Sequence, residues 1–329
     1  MKLYLKSGYL NVEGLLRQSL TFNFLIGGRG TGKTYGILKY ILDQHLKVFF
    51  IRRLQSQIDI ISKPEFNPFN ALDRAVEIKP ASKYHSAFFK NGQCIGYCAA
   101  LSTFSKIRGF DASDIDIMFF DEFIPEAHER PLKNEDAALF NAYETVNRNR
   151  ELDGRKPLIL VCAANSNRIN NEILQGFDLL PDLEKMMRKG QEVYTDQKRS
   201  ILLAYLAGSP ISDAKSETAL YKALKGSDFE EMSIYNRFSY ESARITSKNL
   251  GAYRILFRLG NLGVYVSRGG RTEFYVRETS EDAKKVYGTT DEEIKRFRNE
   301  NPFVGLWNVK GWIIYENLDV YTRFTRYLT

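Results

Sequence analysis

A mainly parallel sheet flanked by helices, joined through a helical linker to a small α+β domain, is the architecture this sequence predicts. Three observations carry it. Apolar, strand-like runs alternate with helical segments over the first two hundred residues. A glycine-rich loop sits between the first such run and a helix. Three closely spaced β-rich runs with glycine turns follow Phe229. The chain has 329 residues, more than one compact domain usually holds, and the expected division is a first domain over 1–204, a linker over 205–228 and a second domain over 229–329.

The elements follow in order. "TFNFLI" (Thr21 to Ile26) reads as a buried strand, and the helix after the glycines carries Ile37, Leu38, Ile41 and Leu42 at helical spacing. "KVFFIRR" (Lys47 to Arg53) is a second strand. The two prolines of "SKPEFNPFN" mark an irregular excursion, after which "AVEIKP" and "SAFFKNGQCIGYCAAL" enclose an Asn91-Gly92 hairpin. "DIDIMFFDEF" from Asp114 is a third core strand, "DAALFNAYETVNRNRE" from Asp136 a helix, and "KPLILVCAANSN" from Lys156 a fourth strand. Past Pro181 the texture becomes helical and polar: "DLEKMMRKG", "SILLAYLAGSP" and the charged "DAKSETALYKALKGS" are read together as a helical linker. "YRILFRLG", "GVYVSRGG" and "TEFYVRE" are the β-runs of the second domain, followed by a polar stretch that is helical in its second half and a final aromatic segment.

Composition removes several function classes. The longest apolar runs, such as "LILVCAA" from Leu158, fall far short of the roughly 20 residues that cross a bilayer. The amino terminus lacks a signal-type apolar core, so the expected location is the cytoplasm, with no membrane partner. Cys94 and Cys98 form a C-x-x-x-C pair, Cys162 is distant, and the histidines stand only at His45, His85 and His128. That is a poor zinc set, and the cysteines read as small apolar residues. A net charge of +7 mildly favours an anionic polymer as partner.

The chemistry begins at "GGRGTGKT". Gly27, Gly28, Arg29, Gly30, Thr31, Gly32, Lys33 and Thr34 satisfy G-x-x-x-x-G-K-[ST] between a strand and a helix, as a P-loop requires. In such a loop the backbone N–H groups point at the phosphates, Lys33 reaches the β and γ oxygens, and Thr34 offers its hydroxyl to Mg²⁺. Asp121 and Glu122 close an apolar strand. Asp121 is expected on the Mg²⁺ side and Glu122 as general base for the attacking water of an ATPase, whereas a solvated strand end is the plain alternative. The added glutamate is typical of the additional-strand catalytic-glutamate class, and no N-K-x-D guanine motif is present. Asn165 closes the fourth strand, where a polar sensor of the γ-phosphate stands; an Asn opening a turn would look the same. Arg148 and Arg150 follow the helix, as candidate catalytic arginines or as merely solvated ones.

In the order "GGRGTGKT", "RR" at the end of the second strand, "FFDEF", "TVNRNRE" and "AAN", the sequence resembles the genome-packaging ATPases of phi29-like tailed phages, the encapsidation family. "ALKGSDFEEMSIYNRF" past the linker extends the resemblance, which weakens in the last hundred residues. The resemblance implies a homopentameric ring, seated on the portal (connector) protein of a prohead, that drives double-stranded DNA inward with ATP and Mg²⁺. It places the protein in the host cytoplasm and transiently on the prohead. Whether a structural packaging RNA joins the assembly is left open. Arg148 matches the family's trans-acting arginine finger, and Lys106 a second basic residue acting across the interface, with Arg108 an equal candidate. Arg52 and Arg53 match a double arginine near the nucleotide or between subunits, and Lys63 lies in a segment that faces a pore or covers the nucleotide.

The same resemblance makes the second domain an RNase H-like nuclease fold that has degenerated. The residues agree: two-metal cleavage needs clustered carboxylates, and none stands between Glu241 and Glu273, while the first β-run offers Arg254 and Arg258. Two other functions stay in view: a terminase-type motor with an active nuclease, and a nucleotide-switched DNA-binding or assembly module.

Overall fold

The computed structural model describes residues 2–107, 109, 112–125, 129, 132–165, 171–206, 208–227, 230, 244–269 and 273–328. They divide into two compact units, Met1–Arg168 with Lys185–Arg237, and Ile169–Glu184 with Phe238–Thr329.

The first unit is built on a nine-stranded sheet. Its strands are β1 (Phe22–Gly27), β2 (Val48–Arg52), β3 (Val76–Pro80), β4 (His85–Lys90), β5 (Gln93–Ala100), β6 (Ile117–Asp121), β7 (Ile159–Asn165), β8 (Val193–Asp196) and β9 (Ile201–Leu206), in the order β3-β4-β5-β2-β6-β7-β1-β9-β8. The six strands from β5 to β9 in that order are parallel to one another, and the outer strands pair antiparallel. The parallel strands are continuous apolar runs because helices cover both faces of such a sheet. Every residue of β6 and β9 is buried, and all but the first of β1. The β4–β5 turn is the expected one: Asn91 and Gly92 take φ of 50° and 77°, as a type I′ hairpin needs.

β9 corrects the sequence expectation. The sequence places "SILLAYLAGSP" in a helical stretch that straddles the expected boundary at 204, yet Ile201–Leu206 is a strand that pairs with β1 along its whole length. A six-residue run that is apolar at every position carries neither helical nor alternating period, so only its neighbours reveal it as a strand. The charged segment beyond it forms two short helices, α7 (Pro210–Ser216) and α8 (Ala219–Ala223), with Ser209 capping the first through Ser212 N–H. The segment Ile169–Glu184 also belongs elsewhere than expected. It packs with the second unit: Glu172 accepts from Arg326 Nε at 3.1 Å, Gln175 donates to Asp319 at 3.2 Å, and Glu184 accepts from Leu318 N–H at 3.3 Å.

Two details of strand order position the site. β7 lies between β1 and β6, so the strand ending in Asn165 separates the strand that feeds the glycine loop from the one that ends in Asp121. All three tips face one way, since the strands are parallel. The carboxyl ends of such strands are where ligands bind.

At the tip of β2 the next residue, Arg53, is wholly buried. Its Nε donates to Glu135 at 2.6 Å and an Nη to Glu129 at 3.1 Å. Glu135 is itself buried and opens α4 (Glu135–Asn147), so this pair anchors the helix to the sheet. Arg53→Ala is expected to cost about 3–5 kcal/mol of stability, because it strands a buried carboxylate. Arg53→Met with Glu135→Leu is expected to recover most of that loss. Urea midpoints of the three proteins check it; equal midpoints for the parent and Arg53→Ala would refute it.

The second unit carries a five-stranded sheet: β10 (Tyr253–Leu259), β11 (Leu262–Ser267), β12 (Phe274–Glu278), β13 (Val286–Tyr287) and β14 (Ile313–Tyr315), in the order β13-β10-β11-β12-β14. The first three form an antiparallel meander, and β13 and β14 add in parallel at its two edges. The expected polar helix is Asp291–Glu300, started by the Thr290 hydroxyl accepting from Glu293 N–H. The aromatic tail resolves into β14 and the helix Leu318–Arg326, whose Tyr321 and Phe324 pack on Tyr315.

Candidate active site

The glycine loop joins β1 to α2 (Lys33–Asp43). Gly30 and Gly32 both take left-handed backbone, with φ of 72° and 86°, which L side chains adopt only under strain. At Gly32 a Cβ would also meet the Tyr9 ring at 2.9 Å. The residues before α1 (Val12–Leu16) lie against the loop, and Leu10 N–H donates to the Thr31 carbonyl at 2.9 Å.

Lys33 is buried under this loop. Its ammonium donates to the carbonyls of Gly27 and Gly28, each at 2.9 Å, to Thr31 Oγ1 at 3.2 Å and to Asn165 Oδ1 at 3.3 Å. Burial pushes the ammonium down to about 7, against the pull of the Asp121 carboxylate and with a further push from Lys215. A buried ammonium ringed by neutral oxygens is electrostatically incomplete, and phosphate oxygens would complete it. The loop therefore fits a triphosphate.

Asp121 is buried and accepts from the Thr34 hydroxyl at 2.9 Å. One carboxylate and one hydroxyl suit Mg²⁺, which takes few protein oxygens and draws its other ligands from phosphate and water. Among the described residues no cluster of three or more His, Cys, Asp or Glu could hold a metal, so an all-protein cage is not what this site offers. Thr34 and Asp121 would hold the ion.

Glu122 follows with φ of 57°, in the left-handed region that is unfavourable for a long side chain. Arg52, at the tip of β2, donates to Asp121 at 2.7 Å and also to Glu122, so one guanidinium bridges both acids. Arg52 and Arg53, adjacent in sequence, thus serve different partners: one the acids at the loop, the other the start of α4.

The two arginines after α4 also part. Arg150 is buried and donates to the carbonyls of Ala112 and Ser113, each at 3.1 Å. Arg148 is exposed and caps the helix with φ of 49°. Lys106 is exposed too, its ammonium 4.9 Å from the centroid of the Tyr84 ring. Neither Arg148 nor Lys106 enters the hydrogen bonds among Lys33, Thr34, Asp121 and Asn165 described above. Arg108 lies outside the described residues. Cys98 and Cys162 are buried and Cys94 partly so, all with free thiols, and burial raises the thiols of the first two.

A family model described as the podovirus DNA encapsidation protein (Gp16) matches residues 4–301. The chain belongs to that family. The DNA packaging protein of Bacillus phage phi29 is 25% identical over 305 residues, covering 90% of this chain and 86% of the relative. That of Bacillus phage B103 is 25% identical over 290 residues, 85% of each. Among solved structures, the Phi-28 gp11 DNA packaging motor has a TM-score of 0.65 at 16% identity over 97% of each chain. The phi-29 genome packaging motor assembly also has 0.65, at 18% identity over 99% of this chain and 98% of that one. These two likenesses, over nearly the whole chain, show that its fold, a large mostly parallel α/β sheet with a small second sheet, is shared with those motors.

One contributor was missed by sequence reasoning. Lys215 of α7 donates to the Arg29 carbonyl at 2.7 Å. A lone lysine in a polar helix gives no signal that it reaches a loop 186 positions away.

Proposed function

We propose that this encapsidation protein is a subunit of an ATP-hydrolysing ring motor that drives double-stranded DNA into a viral prohead through its portal. The carrying observation is the insertion of β7 between β1 and β6, which sets Asn165 against Lys33 and puts Asp121 on Thr34. Lys33 would hold the β and γ oxygens, Thr34 and Asp121 would hold Mg²⁺, and Asn165 would orient the terminal phosphate. When bound, the ion neutralises charge on the phosphoryl oxygens. Glu122 takes the proton of the attacking water, and Arg148 of a neighbouring subunit stabilises the developing charge.

The family membership supports the motor, the portal and DNA as partners; five subunits, a packaging RNA and Lys106 acting across the interface are parts of the same proposal. So is the setting, host cytoplasm and then the prohead; among the described residues no helix is long and apolar enough to cross a membrane. The second unit is proposed as the degenerate nuclease-like domain. Residues 229–329 hold 16 Lys and Arg against 13 Asp and Glu, but the four acids of Ile169–Glu184 offset that excess over the unit as a whole, so contact with nucleic-acid phosphates would rest on local clusters of its arginines and lysines rather than on its net charge.

The test is a packaging assay with proheads and linear DNA. Genome-length DNA is expected to become nuclease-resistant only with hydrolysable ATP, and DNA is expected to raise ATP turnover. Full protection with a non-hydrolysable analogue would instead establish a nucleotide-switched assembly module.

A further inference from the structure

Lys215 stands where the nucleotide reading needs no further residue. Its ammonium donates to the Arg29 carbonyl at 2.7 Å, and it lies 2.0 Å from where a Cβ on Gly30 would be. The loop can accept the lysine there because Gly30 has no side chain. Among the described side chains no carboxylate pairs with Lys215 within salt-bridge distance. Its ammonium is lowered by partial burial and then by the charge of Arg29. Two lysines thus stand at one glycine loop, Lys215 on the Arg29 carbonyl and Lys33 on the carbonyls of Gly27 and Gly28. Two ammonium groups held at one loop repel each other, and an anion between them relieves that.

We infer that Lys215 is a second phosphate-binding lysine of the nucleotide site, delivered to the glycine loop in cis by the helix Pro210–Ser216 that follows the last strand of the sheet. The inference rests on the nucleotide reading of that loop. It has a structural corollary. α7 follows β9 within the first unit, so a phosphate held by Lys215 ties this helix to the nucleotide state of the loop.

The test is equilibrium binding of a slowly hydrolysed ATP analogue to the full chain and to Lys215→Ala, Lys215→Gln, Lys215→Arg and Lys33→Ala. Removing a charge-assisted contact is expected to weaken binding roughly 10- to 100-fold in Lys215→Ala. Lys215→Gln can still donate to the Arg29 carbonyl but carries no charge, and it is expected to lose as much. Lys215→Arg is expected to stay within about threefold of the parent, since it keeps the charge. Urea midpoints without nucleotide are expected to be unchanged in all three, because the side chain is half-exposed. Parent-like binding by Lys215→Gln would overturn the inference and leave a lysine that merely clamps the loop. Parent-like binding by Lys215→Ala, alongside loss in Lys33→Ala, would overturn it while sparing the nucleotide reading. If Lys33→Ala binds like the parent, both fall.

Discussion

Arg148→Ala is expected to lower ATP turnover by about 10³- to 10⁵-fold while leaving ATP binding by each subunit intact, the loss typical of an arginine finger. The structure separates this residue from its neighbour. Arg150 is spent within its own chain on the carbonyls of Ala112 and Ser113, whereas Arg148 is presented at the surface by the end of α4. Its φ of 49° is strained backbone for a residue with a Cβ, and such strain persists where the surrounding structure enforces a particular presentation. A finger that acts in trans makes a second, sharper expectation. Subunits carrying Arg148→Ala, mixed with subunits carrying Lys33→Ala, should recover part of the parent turnover, because a site with an intact loop then meets an intact arginine. Turnover measured across the mixing ratio checks this, and a mixture as inactive as either variant alone would exclude a trans finger at Arg148. Arg150→Ala is expected to behave differently, losing stability before activity.

Glu122→Gln is expected to reduce hydrolysis by roughly 10²- to 10⁴-fold, the range for loss of a general base, with ATP affinity kept. The amide preserves size and can still orient water, but it cannot take the proton. Asp121→Asn should differ in kind: Asp121 is buried against Thr34 and Arg52, so its loss is expected to weaken Mg²⁺-dependent binding itself. Single-turnover measurements with both variants separate the two acids. If Glu122→Gln hydrolyses at the parent rate, the acids have been assigned in the wrong order or the base lies elsewhere. Arg52 conditions the outcome, since it binds both carboxylates and so sets the direction in which Glu122 points.

Much of this site is legible in short stretches of sequence. The loop Gly27 to Thr34 and the pair Asp121-Glu122 are contiguous motifs whose chemistry depends on neighbours in the chain, and the strand and helix around each follow from local period. Asn165 was legible only as a polar residue at a strand end. Its hydrogen bond to Lys33 settles its place beside the loop.

The sequence by itself determined the α/β class, the glycine-loop motif, the two acids at a strand end and the family to which the chain belongs, because these rest on residue types at fixed spacing along a continuous backbone. Only the tertiary structure decided which of two adjacent arginines faces the acids and which is buried with Glu135, that Arg148 and not Arg150 is the exposed one, that Ile201–Leu206 is a core strand, and that Lys215 reaches the glycine loop. The physical reason is common to all four. Each depends on which groups packing brings within a few ångströms across long separations in the chain, and side chains one residue apart on a strand end, or uniformly apolar along it, carry no local signal of what will lie opposite them.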